Sequence, residues 1–262
     1  MQATPPKVMR APRFPRLKEN PPRTGFLTDE NFARLAAACA KEGLWLRAML
    51  EVARSYGWRI AELQNLHVKQ VDLFARTIRL EPGSTKNEDG REVAMTDAIF
   101  TLLTECVQGK SGDDYVFTRR NGKRIADFRG TWHKVCCATR LGMMHCMSCG
   151  QPVAGNHCET CRLPWRQNQL RYRGLLWHDL RRTAVRNLVR SGISEKIAMT
   201  VTGHRTRSVF DRYAIIAASD LREAALKMQA RDAAVAERLR NVTDLSHVSV
   251  TVAPLPAAAV VN

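Results

Sequence analysis

Two cysteine pairs, Cys146-x-x-Cys149 and Cys158-x-x-Cys161, set the strongest restriction on how this chain can fold. They lie in residues 143–166, a stretch with two glycines and two prolines and no helical or strand period running through it. Two such knuckles about ten residues apart suit a tetrahedral metal site with four thiolate ligands, and Gly150 after the first pair suits the tight turn of a zinc ribbon. The spacing predicts a structural Zn²⁺ held by Cys146, Cys149, Cys158 and Cys161, because four protein ligands leave no open position for chemistry. His145 and His157 flank the cysteines, and either could stand in for a thiolate. A redox pair is the competing reading, although it does not call for two knuckles. Cys39, Cys106, Cys136 and Cys137 fall in helical segments and read as small buried residues.

The sequence on either side of this interruption is helical with one exception. Thr28 is a good N-cap before Asp29 and Glu30, and Phe32, Leu35 and Ala36 form an apolar face behind it. A second helix is predicted over 44–56 and a third from near Arg59. Thr77–Leu80 alternates as a strand should, 81–90 is rich in turn residues, and 91–95 returns, so a β-hairpin is expected here. Helices follow near 97–107, 127–140 and 178–190. Ser194 caps a short helix to Thr202 in this reading, and Ser219 or Asp220 caps a last one to about Arg240. Leu221, Ala225, Met228, Val235 and Leu239 make that last helix a stripe, interrupted by Asp232. The predicted class is mainly α with a small antiparallel β-sheet (α+β). Its expected parts are a basic arm or linker at 1–24, a main domain at 25–240 with the inserted module at 143–166, and a tail at 241–262.

Charge narrows the partners. The chain has 41 Lys and Arg against 25 Asp and Glu among 262 residues, a formal net charge of +16. That excess points to a polyanion, with nucleic acid the first candidate. An anionic membrane surface or a ribosomal role fits the charge as well. No run of about 20 apolar residues exists, so no membrane span is expected. The first residues lack the apolar centre of a secretory signal, so a reducing cytoplasm is expected and the cysteines read as thiols or ligands rather than disulfides.

The residues that carry chemistry cluster between His178 and Tyr213. His178-Asp179-Leu180-Arg181 puts His178 and Arg181 on one face of a helix. Gly203-His204 follows a short helix, and Phe210-Asp211-Arg212-Tyr213 ends the series. Taken singly, each has an ordinary reading: His178 a cap or core residue, Tyr213 half-buried packing, Arg59 a surface residue, Lys86 a solvated hairpin tip.

Taken in order, they resemble the tyrosine recombinases (phage integrase family). HDLRRTAV, then GH, then FDRY is similar to that family's C-terminal signature. SYGWRIAELQNLHVKQVDL resembles its first arginine box, with Arg59 as the arginine and Glu62 as its acidic neighbour, which the i, i+3 spacing suits as an orienting ion pair. STKNEDGREVAMT resembles the hairpin that carries the family's lysine, which falls on Lys86, with Arg91 in the same hairpin. Arg182 stands where many relatives have a second histidine.

The resemblance implies a DNA strand transferase (a site-specific recombinase or integrase of a mobile genetic element) that breaks a phosphodiester through a 3′-phosphotyrosine, with no catalytic metal and no ATP. Tyr213 would be the nucleophile; a phenol titrates near pH ~10 and needs activation by its surroundings. Arg59 and Arg181 would grip the non-bridging oxygens with guanidinium forks. Lys86 would protonate the leaving 5′ oxygen, His178 would assist proton transfer, and His204 would hydrogen-bond a phosphate oxygen. The implied partner is double-stranded DNA, with a homo-tetramer on that DNA, no membrane, and a cytoplasmic, nucleoid-associated location. Relatives carry a helical clamp domain ahead of the catalytic one, and about 25 residues precede the match here. A truncated element, a misassigned start or a free-standing catalytic domain is therefore expected. A decayed DNA-binding module and a type IB topoisomerase-like relaxing activity stay open beside recombination. The cysteine module either touches DNA through Arg162, Arg166 and Arg171 or only clips a loop.

Overall fold

The computed structural model describes residues 25–83, 90–155, 157–161, 169–216 and 218–245. Helix α1 (Asp29–Glu42) begins where Thr28 Oγ1 accepts from Asn31 N at 3.3 Å, with Asp29 and Glu30 at its positive end. It stops at Gly43, and α2 (Leu44–Tyr56) follows at once. Leu46, Ala48, Met49, Leu50, Val52 and Ala53 of α2 are all buried, because this helix is the hub on which α1, α4 (Asp97–Val107) and α6 (Asp179–Arg190) pack. A left-handed residue, Gly57 (φ 65°), ends α2; a Cβ there would come within 3.0 Å of Ala184 Cβ, so glycine lets α2 and α6 approach. Trp58 and Arg59 then lead into the short α3 (Ile60–Gln64).

The expected hairpin is present as part of an antiparallel sheet of order β1-β2-β3, with β1 at Val71–Asp72, β2 at Thr77–Leu80 and β3 at Arg91–Ala94. Ile78, Leu80 and Val93 turn inward from it. Its turn, and with it Lys86, lies outside the described residues.

A second sheet, of order β5-β4-β6, joins β4 (Gly142–Cys146), β5 (Pro152–Val153) and β6 (Leu170–Gly174), all antiparallel. The sequence pattern does not reveal it. Gly142-Met-Met-His-Cys has no polar–apolar alternation, and β6 reaches past the cysteine-rich stretch to pair with it. Helix α5 (Arg129–Ala138) packs on this sheet through His133, whose ring stacks on Tyr172 at 3.9 Å. Trp132, Phe128 and Trp177 form an edge-to-face aromatic cluster that pins the sheet's exit to the core. Cys39, Cys106 and Cys136 are buried as expected, and Cys137 is half-buried.

Helices α7 (Glu195–Thr202), α8 (Arg207–Asp211) and α9 (Ala218–Leu245) complete the chain. Two expectations about them are corrected. Ser194 occupies the N-cap position of α7 but makes no side-chain cap hydrogen bond. Helix α9 starts at Ala218 and runs past Arg240, and Asp220 in its first turn pairs with Arg186 at 2.7 Å. The stripe on α9 does not cover the domain's own core, since Leu221, Met228, Val235 and Leu239 are all exposed.

Candidate active site and metal centre

The site is assembled on the N-terminus of α6. Asp179 folds back on the incoming turn, accepting from Leu176 N at 2.9 Å, and Arg182 Nη2 donates to the same carboxylate. Arg182 also donates through Nε to Gly25 O at 3.0 Å, and Thr183 Oγ1 accepts from Leu27 N at 3.0 Å. Arg182 is thereby occupied in tying α6 to the start of the domain. With this turn held, His178 faces outward and Arg181, one helical turn on, faces inward and is buried.

Arg181 is held on two sides. Its Nη1 donates to Gly57 O at 2.6 Å and its Nε to His204 Nε2 at 3.1 Å. Its Nη2 is buried without a hydrogen-bond partner. Burial, and next the charge of Arg59, pull its pKa down to about 10, which leaves the guanidinium protonated at neutral pH. A buried guanidinium N–H with nothing to donate to is costly unless an acceptor arrives.

The acceptor role of His204 fixes its tautomer. Its Nδ1 lies 2.6 Å from Thr202 Oγ1, and Thr202 Oγ1 donates to Ala198 O at 2.7 Å. The network is satisfied with the proton on Nδ1, donated to Thr202, and Nε2 accepting from Arg181. Burial and then Arg181 hold the His204 pKa at about 3, so the ring is neutral. No N–H of His204 is left for a phosphate oxygen in this arrangement.

Tyr213 follows α8 and enters from the other side. His178 Nε2 lies 2.9 Å from its hydroxyl, its ring sits 5.5 Å from the Arg181 guanidinium, and the His204 ring is 4.9 Å away. Loss of solvent around the His178 ring, and then the charges of Arg181 and Arg182, hold its pKa below the ordinary value of 6.5. Arg59 stands at the rim, a quarter exposed, with Nη1 3.0 Å from Glu62 Oε1. Glu62 also accepts from Arg59 N at 2.8 Å and from Arg91 Nη2 at 2.5 Å. Arg59, His178, Arg181, His204 and Tyr213 therefore meet in one cationic site, although they come from four separate parts of the chain.

Three participants escape a reading of the sequence. Thr202 sets the tautomer of His204. Trp58 ties the loop after α2 to α7 by donating from Nε1 to Val201 O at 3.0 Å. Arg91 is buried against Glu62, and a Cβ at Gly203 would fall 2.3 Å from its Nη1, so it is a wall of the site. The Thr-Gly-His spacing was an available clue to Thr202; nothing local marks Arg91.

The four predicted metal ligands also converge. Cys146 Sγ and Cys161 Sγ are 3.8 Å apart, Cys149 Sγ and Cys158 Sγ are 3.5 Å apart, and all four lie within 4.8 Å of one another. Tetrahedral zinc with Zn–S bonds near 2.3 Å requires sulfur separations of about 3.8 Å, so the cluster can hold a metal ion of that kind. Neither flanking histidine belongs to the cluster, and His145 Nδ1 is turned to Gly150 O at 3.1 Å.

Comparison with solved structures identifies the fold as that of a tyrosine recombinase catalytic domain. The XerA recombinase aligns at 20% identity and TM-score 0.55, over 82% of this chain and 66% of its own. The Tn1549 transposon integrase in complex with circular intermediate DNA aligns at 16% identity and TM-score 0.53, over 80% of this chain and 67% of its own. A lambda integrase dimer bound to a core site aligns at 18% and TM-score 0.50, over 75% of this chain and 49% of its own. This chain thus spans about two thirds or less of each. Residues 25–144 match the model of the phage integrase family. That match ends inside β4, so it covers Arg59 but none of the residues from His178 onward. Comparison with curated proteins gives no match.

Proposed function

We propose that this protein is a DNA strand transferase, a site-specific recombinase or integrase, with Tyr213 as nucleophile. The observation that carries the reading is the buried, unpartnered Nη2 of Arg181 beside the Tyr213 ring, with the Tyr213 hydroxyl 2.9 Å from His178 Nε2. A phosphodiester seated there supplies the acceptor that Arg181 lacks. Tyr213 Oη attacks phosphorus, an Oη–P bond forms and the bond from phosphorus to the 5′ oxygen breaks. The phenol proton passes to His178 Nε2, which is free to accept it because the ring is held neutral. Lys86 gives a proton to the departing 5′ oxygen, an assignment that rests on the family resemblance. Arg181 and Arg59 hold the two non-bridging oxygens, where their charge is felt most as the transition state builds negative charge. His204 acts in this reading by positioning Arg181 rather than by donating to the phosphate. The phosphotyrosine keeps the bond energy, so rejoining draws on no ATP.

Cys146, Cys149, Cys158 and Cys161 hold a structural Zn²⁺ in the same reading, supported by sulfur separations that suit it. DNA as substrate is supported by the net charge of +16 and by neighbours solved with DNA. Assembly as a homo-tetramer on that DNA, origin in a mobile element and a cytoplasmic, nucleoid-associated location follow from the resemblance. No helix among the described residues is long and apolar enough to cross a membrane. The test is a nicked suicide duplex bearing a candidate attachment site, read on a denaturing gel. The wild type should form a covalent protein–DNA adduct and Tyr213→Phe none; a wild type that binds the duplex and never forms the adduct would overturn the proposal.

A further inference from the structure

The second sheet has two chemically different faces. In the antiparallel register Met143 pairs with Arg173 and His145 with Arg171, so these four side chains share one face. Met144 pairs with Tyr172 and Cys146 with Leu170 on the other. The second face is spoken for: Tyr172 stacks on His133 of α5, and Met144 and Leu170 pack with Cys146, Val153, Cys158 and Cys161 in a small core of their own. The first face is open. Arg171 and Arg173 are exposed, Met143 is 48% exposed, and neither arginine has a carboxylate partner among the described residues. Several other arginines of this domain are paired with carboxylates, among them Arg54, Arg76, Arg129, Arg190 and Arg207.

The open face is also rigidly joined to the candidate active site. Leu175 N donates to Leu141 O at 2.8 Å and Trp132 Nε1 donates to Leu175 O at 2.9 Å, which clamps the exit of β6. Arg173 is five residues from His178, at most about 17 Å of extended chain. Two unpaired guanidiniums at that range, on a ribbon whose far end is closed by the cysteine cluster, are placed to reach phosphates flanking a scissile one.

We propose that the Met143/His145/Arg171/Arg173 face of the ribbon is a DNA-backbone contact surface, separate from the catalytic residues and held in place by the cysteine cluster. The inference rests on the reading of DNA as the substrate. It replaces the looser expectation of contacts through Arg162, Arg166 and Arg171, the first two of which lie outside the described residues. Backbone contacts of this kind position a duplex without reading its sequence.

The experiment measures the affinity of the full chain for a labelled duplex as a function of salt. Each phosphate contact contributes roughly 0.9 to the slope of log K against log salt, so R171E/R173E should lower the slope by about 2 and weaken binding by roughly tenfold near physiological salt. The milder R171Q/R173Q should show the same slope change, and equal thermal melting and metal content would show that each variant is folded. A slope unchanged in both variants overturns the proposal, as does a change seen with an RNA hairpin but not with duplex DNA. The suicide-substrate adduct is scored in parallel. An adduct with an unchanged slope overturns the ribbon surface alone, whereas a shifted slope with no wild-type adduct overturns strand transfer and supports the ribbon.

Discussion

Replacing Glu62 by glutamine tests whether the arginines of the site depend on one buried carboxylate. Glu62 is 4% exposed and accepts from Arg59 N, Arg59 Nη1 and Arg91 Nη2, and its side chain and that of Arg91 are 2% and 5% exposed. Burial already pulls the Arg91 pKa down, and Glu62 is the group that opposes this. Glu62→Gln keeps the volume but leaves Arg91 charged, buried and without its counter-ion, a change that costs about 3–5 kcal/mol when one partner of a buried pair is removed. Arg91→Met removes the charge as well, and Glu62 keeps Arg59 as partner, so its cost should be smaller, about 1–2 kcal/mol. In the double variant no buried guanidinium is stranded, so its cost should fall short of the sum of the two single costs by at least ~1 kcal/mol. The assay is urea unfolding of the wild type, both single variants and the double variant. A Glu62→Gln cost below ~1 kcal/mol, or single costs that add within ~0.5 kcal/mol, would refute the argument that this carboxylate is the electrostatic anchor.

Three further outcomes are expected. Arg181→Lys removes the fork that spans Gly57 O, His204 and the unpartnered Nη2, so adduct formation should drop on the order of 100-fold with a much smaller change in DNA affinity; equal losses in both would mean that Arg181 only binds. Because the pKa of His178 is lowered from 6.5, the neutral ring that accepts the Tyr213 proton persists below that pH, and single-turnover cleavage should stay level from pH 8 to about 6.5 and decline only in more acid solution; a decline beginning above pH 7 contradicts the assignment. Metal analysis should find one zinc per chain, lost in Cys158→Ala, and chelation should raise protease sensitivity in the 142–174 ribbon while α2 and α6 stay protected; a metal-free protein with an equally resistant ribbon would remove the structural role.

Much of the helical frame is readable from local signals. Thr28 and the apolar face behind it mark α1 because caps and amphipathic faces act within a few residues. The cysteine spacing likewise announces four ligands, since a tetrahedral ion sets its own local geometry. The end of α9 and the second sheet are different. The helix runs on beyond the last apolar position of its stripe, and β4 has no alternation of its own, becoming a strand only when β6 returns to pair with it.

The site divides the same way. Residue types and their order, through the resemblance to the tyrosine recombinases, single out Arg59, His178, Arg181, His204 and Tyr213, a set suited to the phosphoryl transfer proposed above. What each one does depends on neighbours far away in the chain. Gly57 O and Nε2 of His204 occupy Nη1 and Nε of Arg181 and leave Nη2 buried without a partner. Thr202 turns His204 into an acceptor, Asp179 and Gly25 claim Arg182, and Glu62 holds the Arg91 side chain in the wall of the site. Composition and spacing can name the groups that could do this chemistry, but hydrogen-bond direction, burial and charge pairing are properties of three-dimensional neighbourhoods, and only packing α2, α6, α7 and β3 together assigns them.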